Sequence, residues 1–419
     1  MKIKGKIILL VFILSILIIG TSYADTPNVT IGSTAAILVE QSTGRILYEK
    51  NSTQTLYPAS TTKIMTAILT LENCNLDDMV TVSESAVSNI PSSYVTMEFV
   101  PGEEVSVRDL LYSMMLPSAN DSAYILAEHI GGNVETFANM MNEKAASLGC
   151  KNTNFVNPNG IHNEKHYSTC YDLYLIANYA MKNDEFRKIV STTEYTLAGT
   201  NKHPENDRVI TTTNELLYPT TESNYYKFAV GIKTGTTTQA GNCLVAESDR
   251  DGLNFISVVL GGQGVKSNRF KDTAKLFDYG YDNYTLTKII EKDSIVDTVE
   301  VEKATKETRS LDIAIDSSIT IMNNKSLDTT KLVPEISLNE PLKAPIEKGQ
   351  ELGTIKYTVD DIEYSAKLYA TNSVKKQVNY FLIIILFLLA IAVLFVVYKR
   401  YQNSKKRRYK KKRRHGFVY

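Results

Sequence analysis

Ser60 and Lys63 stand three residues apart in "YPASTTKIMTAIL", residues 57 to 69, and together could supply a nucleophile and its base. If they open a helix, that spacing puts both side chains on one face. A helix start also aims backbone N–H groups and the positive end of the helix dipole at an anion developing on Ser60. Ile64, Met65, Ile68 and Leu69 would bury the other face. They would also leave the Lys63 amine poorly solvated, which lowers its pKa toward that of a usable base. A serine here also suits a helix cap, and the two roles are compatible. The pair alone is a weak motif, because S-x-x-K recurs at Ser373 and Lys376 beside a long apolar run.

Two later stretches add groups of complementary chemistry. In "LPSANDSAYILA", Ser118 and Asn120 fall in a break between two helical patterns, where side chains can project into a cleft. A hydroxyl and a carboxamide at that spacing can relay a proton and hold a substrate amide, or simply cap the next helix. In "VGIKTGTTTQAG", Lys233-Thr234-Gly235 ends an apolar strand and is the only Lys-Thr-Gly in the chain. The lysine and hydroxyl can grip a carboxylate, and the glycine lets a substrate backbone lie against the strand edge. A third stretch, "HNEKH" from His162 to His166, offers histidines four apart and so invites a metal reading. It follows the turn Asn157-Pro158-Asn159-Gly160, which argues against the regular helix such a pair needs.

The elements that must position these groups can be read from periodicity. "TAAILVEQSTGRILYEKN" predicts a β-hairpin around Ser42-Thr43-Gly44, followed by a helix over about 60–71 and a mostly helical block over 106–148. Another helix is expected to start near Ser168 or Thr169. Strands return after Thr192, with a hairpin turning at Asp251-Gly252, and "RFKDTAKLFDYGYD" predicts a last helix. The expectation is one α+β domain, an antiparallel sheet with helices plus a helical subdomain. Alternation of apolar and polar residues over 286–368 predicts a smaller all-β domain after it.

Both ends are marked by charge and hydropathy. A basic start, an apolar run from Ile7 to Ile19 and small residues at Ser22 and Ala24 describe a secretory leader cut after Ala24. Tyr380 to Tyr398 is a 19-residue stretch without a charge, about 28 Å as a helix and enough to cross a hydrocarbon core. Eleven Lys/Arg follow between Lys399 and Arg414, which predicts a cytoplasmic tail, anionic-lipid contact and a body outside. Residues 25 to 379 hold 32 Lys/Arg against all 46 Asp/Glu, a charge that excludes a nucleic-acid footprint on the body. Cys74, Cys150, Cys170 and Cys243 include no C-x-x-C pair, so neither a zinc knuckle nor a thioredoxin-like motif is offered. The expected organisation is a leader (1–24), a catalytic domain (25–282), a β-rich domain (283–370), a linker (371–379), a membrane span (380–398) and a basic tail (399–419).

S-x-x-K, S-x-N and K-T-G in this order, on a helix start, an interhelical loop and a strand end, are the set carried by serine penicillin-recognising enzymes. Over roughly residues 33 to 282 the chain resembles the D-alanyl-D-alanine carboxypeptidases, low-molecular-mass penicillin-binding proteins. "AAILVEQSTGRILYEKN", "PASTTKIMTAILTLE", "SANDSAYILAEHIGG", "NTNFVNPNGIHNEKHYST" and "GIKTGTTTQAGNCLVAE" all carry the likeness. The resemblance implies that Ser60 attacks the carbonyl between two terminal D-alanines while Lys63 takes its proton. It implies that Ser118 passes the proton to the leaving amine and that Asn120 positions the substrate and Lys63. Backbone N–H groups of Ser60 and Thr236 would form an oxyanion hole. Lys233 and Thr234, with Gly235 beside them and Arg269 as a further cation, would hold the terminal carboxylate. Its implied partners are peptidoglycan stem peptides ending in D-Ala-D-Ala, β-lactams as covalent inhibitors, and membrane lipid; no cofactor or metal is implied. A serine β-lactamase shares the motifs, but no convincing Glu-x-x-Leu-Asn follows Asn120. A non-catalytic wall-binding or penicillin-sensing membrane protein fits poorly with an intact motif set.

Overall fold

The computed structural model describes residues 29–414 apart from 89, 206–207, 220–223 and 340. The expected leader at 1–24 lies outside the described residues, as do the last five residues of the tail. The chain divides after Thr285 into two units.

The first unit is built on a five-stranded antiparallel sheet in the order β2-β1-β9-β8-β7. β1 (Ala35–Glu40) and β2 (Ile46–Lys50) form the expected hairpin. Its turn is tied by the Glu40 carboxylate, which accepts from the backbone and hydroxyls of Ser42 and Thr43. β7 (Ala229–Thr237), β8 (Gly241–Arg250) and β9 (Leu253–Gly262) form a meander that turns at Asp251-Gly252. Two short ribbons, β3 (Met79–Thr81) with β4 (Glu104–Ser106) and β5 (Glu194–Thr196) with β6 (Val209–Thr211), stand apart from that sheet.

The helical block lies in sequence between β2 and β7. It comprises α1 (Lys63–Asn73), α2 (Glu84–Ser88), α3 (Val107–Met115), α4 (Asn120–Gly131), α5 (Val134–Ser147), α6 (Cys170–Ala180) and α7 (Asp184–Ser191). Ile37 and Val39 of β1, Val245 of β8, and Ile256, Val258 and Leu260 of β9 alternate into the core shared with this block. The residues between them face α8 (Asn268–Asn283), where Phe255 and Tyr281 meet at 4.8 Å between ring centroids.

α1 departs from a one-faced helix: every residue from Lys63 to Thr70 is buried. Its polar side chains are matched inside, Thr66 donating to the Pro158 carbonyl and Thr70 to the carbonyl of Thr66. Burial of these first eight residues removes Lys63 from water.

The second unit carries a five-stranded antiparallel sheet ordered β11-β12-β16-β15-β14. Its strands are β11 (Ile295–Glu300), β12 (Ser310–Ile315), β14 (Glu335–Leu338), β15 (Glu351–Val359) and β16 (Ile362–Ala370). Two further strands, β10 (Tyr284–Ile290) and β13 (Ile319–Asn324), pair with each other. The second copies of the motifs, S-x-x-K at Ser373 and Lys376 and S-x-N at Ser337-Leu338-Asn339, fall here in ordinary roles. Ser337 and Leu338 are strand residues, and the Ser373 hydroxyl accepts from the Lys348 N–H.

α9 (Tyr380–Arg414) is long and apolar enough to cross a membrane, with its apolar side chains exposed. The helix does not stop at Tyr398, where the apolar stretch ends, but continues through the basic residues to Arg414. No glycine or proline interrupts 380–414, and Lys, Arg and Gln are good helix formers.

Candidate active site

The chain reaches Ser60 through a 3-10 turn, Ala59–Thr62, that runs into α1. Ser60 is not a helix cap: Pro58 stands in the cap position, and no side chain caps the turn. The hydroxyl expected to serve both purposes instead accepts from Lys63 Nζ at 3.1 Å. Ala59, just before it, takes a left-handed backbone (φ 49°), a conformation that costs an alanine on the order of 1 kcal/mol. Thr61 Oγ1 ties this turn by donating to the Pro58 carbonyl at 2.7 Å.

Lys63 is fully buried, and its ammonium has three acceptors: Ser60 Oγ, Asn120 Oδ1 at 2.9 Å and the Asn159 carbonyl at 2.9 Å. None of them is a carboxylate. Burial, and after it the charge of Lys233, hold the Lys63 pKa well below that of a free lysine, while Asp121 works the other way. This is the electrostatic state of an amine that can take a proton.

Asn120 opens α4, and both its backbone N–H and its side-chain amide donate to the Val95 carbonyl, at 2.9 Å each. With the NH₂ committed to Val95, the amide oxygen is the atom that faces Lys63. Ser118 also takes a left-handed backbone (φ 71°), and its buried hydroxyl has no hydrogen-bond partner among the described residues. Neither Ser118 nor Asn120 caps α4; the cap position belongs to Ala119.

The Lys-Thr-Gly stretch lies in β7, an edge strand of the sheet. Lys233 is buried, its Nζ has no hydrogen-bond partner among the described residues, and burial followed by the charge of Arg269 lowers its pKa to about 7. Thr234 Oγ1 shares a 2.6 Å hydrogen bond with Thr213 Oγ1. Arg269, on α8, donates to the Gly235 carbonyl at 3.2 Å and to Thr236 Oγ1 at 2.8 Å, so it braces the strand end as well as adding charge. Gly235 is required by contact: a Cβ there would stand 3.0 Å from the Ser60 nitrogen and 3.1 Å from the Pro58 oxygen. Glycine thus allows strand and nucleophile turn to meet.

Ser60, Ser118, Asn120, Thr234, Gly235, Thr236 and Arg269 line one cleft of about 550 Å³. Lys63 and Lys233 are buried, each near enough to the other or to Arg269 to feel its charge. All nine residues singled out in the sequence therefore belong to one site. Its remaining walls include Ser93, Tyr94, Val95, Thr213 and Lys266, which carried no motif.

A family profile described as D-alanyl-D-alanine carboxypeptidase matches residues 21–264, and one described as Penicillin-binding protein 5, C-terminal domain, matches residues 284–376. The chain is 32% identical to the D-alanyl-D-alanine carboxypeptidase DacF of Bacillus subtilis strain 168, over 82% of this chain and 86% of that one. The chain belongs to the D-alanyl-D-alanine carboxypeptidase family. Among solved structures, it is similar to penicillin binding protein 5 from Haemophilus influenzae, with a TM-score of 0.63 and 31% identity over 83% of this chain and 99% of that one. The Streptomyces K15 DD-transpeptidase resembles it as well, with a TM-score of 0.56 and 36% identity over 61% of this chain and 98% of that one.

In this family member the "HNEKH" histidines are framework groups. His166 Nδ1 accepts the Val156 N–H at 3.2 Å, which leaves Nε2 protonated and donating to Thr62 Oγ1 at 2.8 Å. Burial keeps the ring neutral by lowering its pKa to about 3. His162 stands edge-on to Tyr57, with centroids 4.6 Å apart. The loop before them is folded by its own asparagines: Asn157 Oδ1 accepts from the Gly160 N–H and Asn159 Oδ1 from the Ile161 N–H. That fold delivers the Asn159 carbonyl to Lys63.

Proposed function

We propose that this protein removes the terminal D-alanine from peptidoglycan stem peptides through an acyl-enzyme on Ser60. The observation that carries the reading is a fully buried lysine within 3.1 Å of a serine hydroxyl, with no carboxylate among its hydrogen-bond partners. In the acylation step, neutral Lys63 takes the Ser60 proton as Oγ bonds to the carbonyl carbon between the two D-alanines. The carbonyl oxygen becomes an oxyanion, held by the backbone N–H groups of Ser60 and Thr236. As the C–N bond breaks, the proton passes from Lys63 through Ser118 to the leaving amine. Lys233 and Thr234, braced by Arg269, hold the carboxylate of the departing D-alanine. Water then hydrolyses the ester with Lys63 again as base, releasing the shortened peptide and free Ser60. A β-lactam acylates the same serine. We further propose that the leader is removed after Ala24, that α9 anchors the chain in the membrane and that the catalytic unit faces outward.

Mass spectrometry of penicillin-treated protein tests the assignment. The expected result is one adduct on a peptide containing Ser60, absent from Ser60→Ala, with tetrapeptide released from a muramyl pentapeptide only by the unsubstituted enzyme. Undiminished labelling of Ser60→Ala would sink the reading. Cross-linked dimers in place of tetrapeptide would make an amine, rather than water, the acceptor.

A further inference from the structure

The carbonyl that orients Asn120 belongs to a segment with no regular structure of its own. Val95 lies in the stretch between α2 and β4, its side chain about half exposed at 52%. An unanchored loop carbonyl would be a poor reference for a catalytic amide. This segment is fixed from below by Asp121, the residue after Asn120 in the first turn of α4. Asp121 Oδ2 accepts the Met97 N–H at 2.8 Å and, more weakly, the Phe99 N–H at 3.5 Å, and Oδ1 accepts the Ser122 N–H at 2.9 Å. Glu98, between the two loop donors, takes a left-handed backbone (φ 59°), the kink that turns neighbouring N–H groups toward one anion. The carboxylate is 1% exposed and sits at the positive end of a helix. Phe99 is buried in the core just beyond it and pins the far side of the segment.

We infer that Asp121 is a positioning residue: it clamps the 95–99 segment so that the Val95 carbonyl turns the Asn120 amide oxygen toward Lys63, and it supplies a negative charge near that buried lysine. An amide has two nearly isosteric ends, and only its oxygen can accept a hydrogen bond from Lys63 Nζ. The charged and titratable groups around Lys63 are Lys233 from β7, Asp121 from α4 and, on the loop packed against the turn, the neutral His166. Asp121 is the one that favours the protonated lysine. The inference rests on Lys63 serving as the base for Ser60.

The test is the rate of Ser60 acylation by a penicillin as a function of pH, in the full chain and in Asp121→Asn. Acylation needs neutral Lys63, so the rate rises with pH through the lysine pKa. Removing the negative charge lowers that pKa. The acid limb should therefore move to lower pH by about one unit, while the plateau falls roughly ten- to a hundredfold as the amide loses its orientation. A residue that merely supports the fold would lower the plateau and leave the limb in place. An unmoved limb overturns the inference, whatever happens to the plateau.

Should Asp121→Asn fail to fold, hydrogen exchange in the unsubstituted protein decides. The Met97 amide should be protected at neutral pH and lose protection, after correction for its intrinsic rate, as acid protonates Asp121. Protection equal at both pH values overturns the inference. Absence of any Ser60 adduct in the unsubstituted protein would instead sink the proposed function itself.

Discussion

Two buried lysines within one site must hold opposite charge states for the proposed reaction to run: Lys63 neutral as base, Lys233 protonated as carboxylate ligand. Burial lowers the pKa of both. If Lys233 holds the carboxylate as proposed, its value near 7 would make substrate binding sensitive to pH, because the proton that binds carboxylate leaves as pH rises through that value. In the free enzyme, kcat/KM for a D-Ala-D-Ala peptide should therefore show a basic limb near neutrality. The same peptide with its C-terminus amidated should lack that limb. Identical profiles for acid and amide would contradict the assignment of Lys233. At this scale the sequence was informative wherever chemistry sits in side chains of distinctive type: Ser60, Lys63, Ser118, Asn120 and the Lys-Thr-Gly run. It was silent where the chemistry sits in backbone. The carbonyls of Val95 and Asn159 hold Asn120 and Lys63, yet any residue type carries a carbonyl. Asp121, in the first turn of α4, belongs to none of the three motifs.

The elements that matter are those that bring separate segments to one point. The 3-10 turn at Ala59–Thr62 is held between β7 on one side and the 157–160 loop on the other, and both approaches depend on glycine. Gly160 has φ +81°, and a Cβ there would run into the Ala59 carbonyl backbone as well as Thr62 Oγ1. Backbone cannot give way as a flexible side chain can. Gly160→Ala should therefore destabilise the protein by about 3 kcal/mol or more, read as a lowered midpoint in urea. Acylation of the folded fraction should slow as well, because the loop carries the Asn159 carbonyl; an unchanged midpoint and rate would refute this account of the loop. The β-hairpin, the β8–β9 turn and the helical block of α3 to α6 were legible from alternation and helical period. The approach to Ser60 was not. A helix start predicts a capping serine, whereas the chain enters through a tighter turn whose left-handed Ala59 is maintained by contacts distant in sequence.

At the scale of the whole molecule, an acidic body, an apolar helix and a basic end succeed one another along the chain. With the body outside, trypsin added to intact cells should remove the catalytic unit and leave a membrane-protected fragment containing α9 and the intact C-terminus. Loss of the basic end under the same treatment would reverse the proposed orientation. The all-β unit and the apolar helix were readable because alternation and unbroken hydropathy are patterns written directly in the sequence. The continuation of α9 past Tyr398 was obscured because charge marks where an apolar stretch ends, not where a helix does. All four cysteines are free thiols, and Cys170 and Cys243 are buried, with burial raising their pKa values and so suppressing the reactive thiolate. No disulfide among these four therefore ties the fold together. If the catalytic unit faces outward, as proposed, its maturation there needs no thiol oxidase.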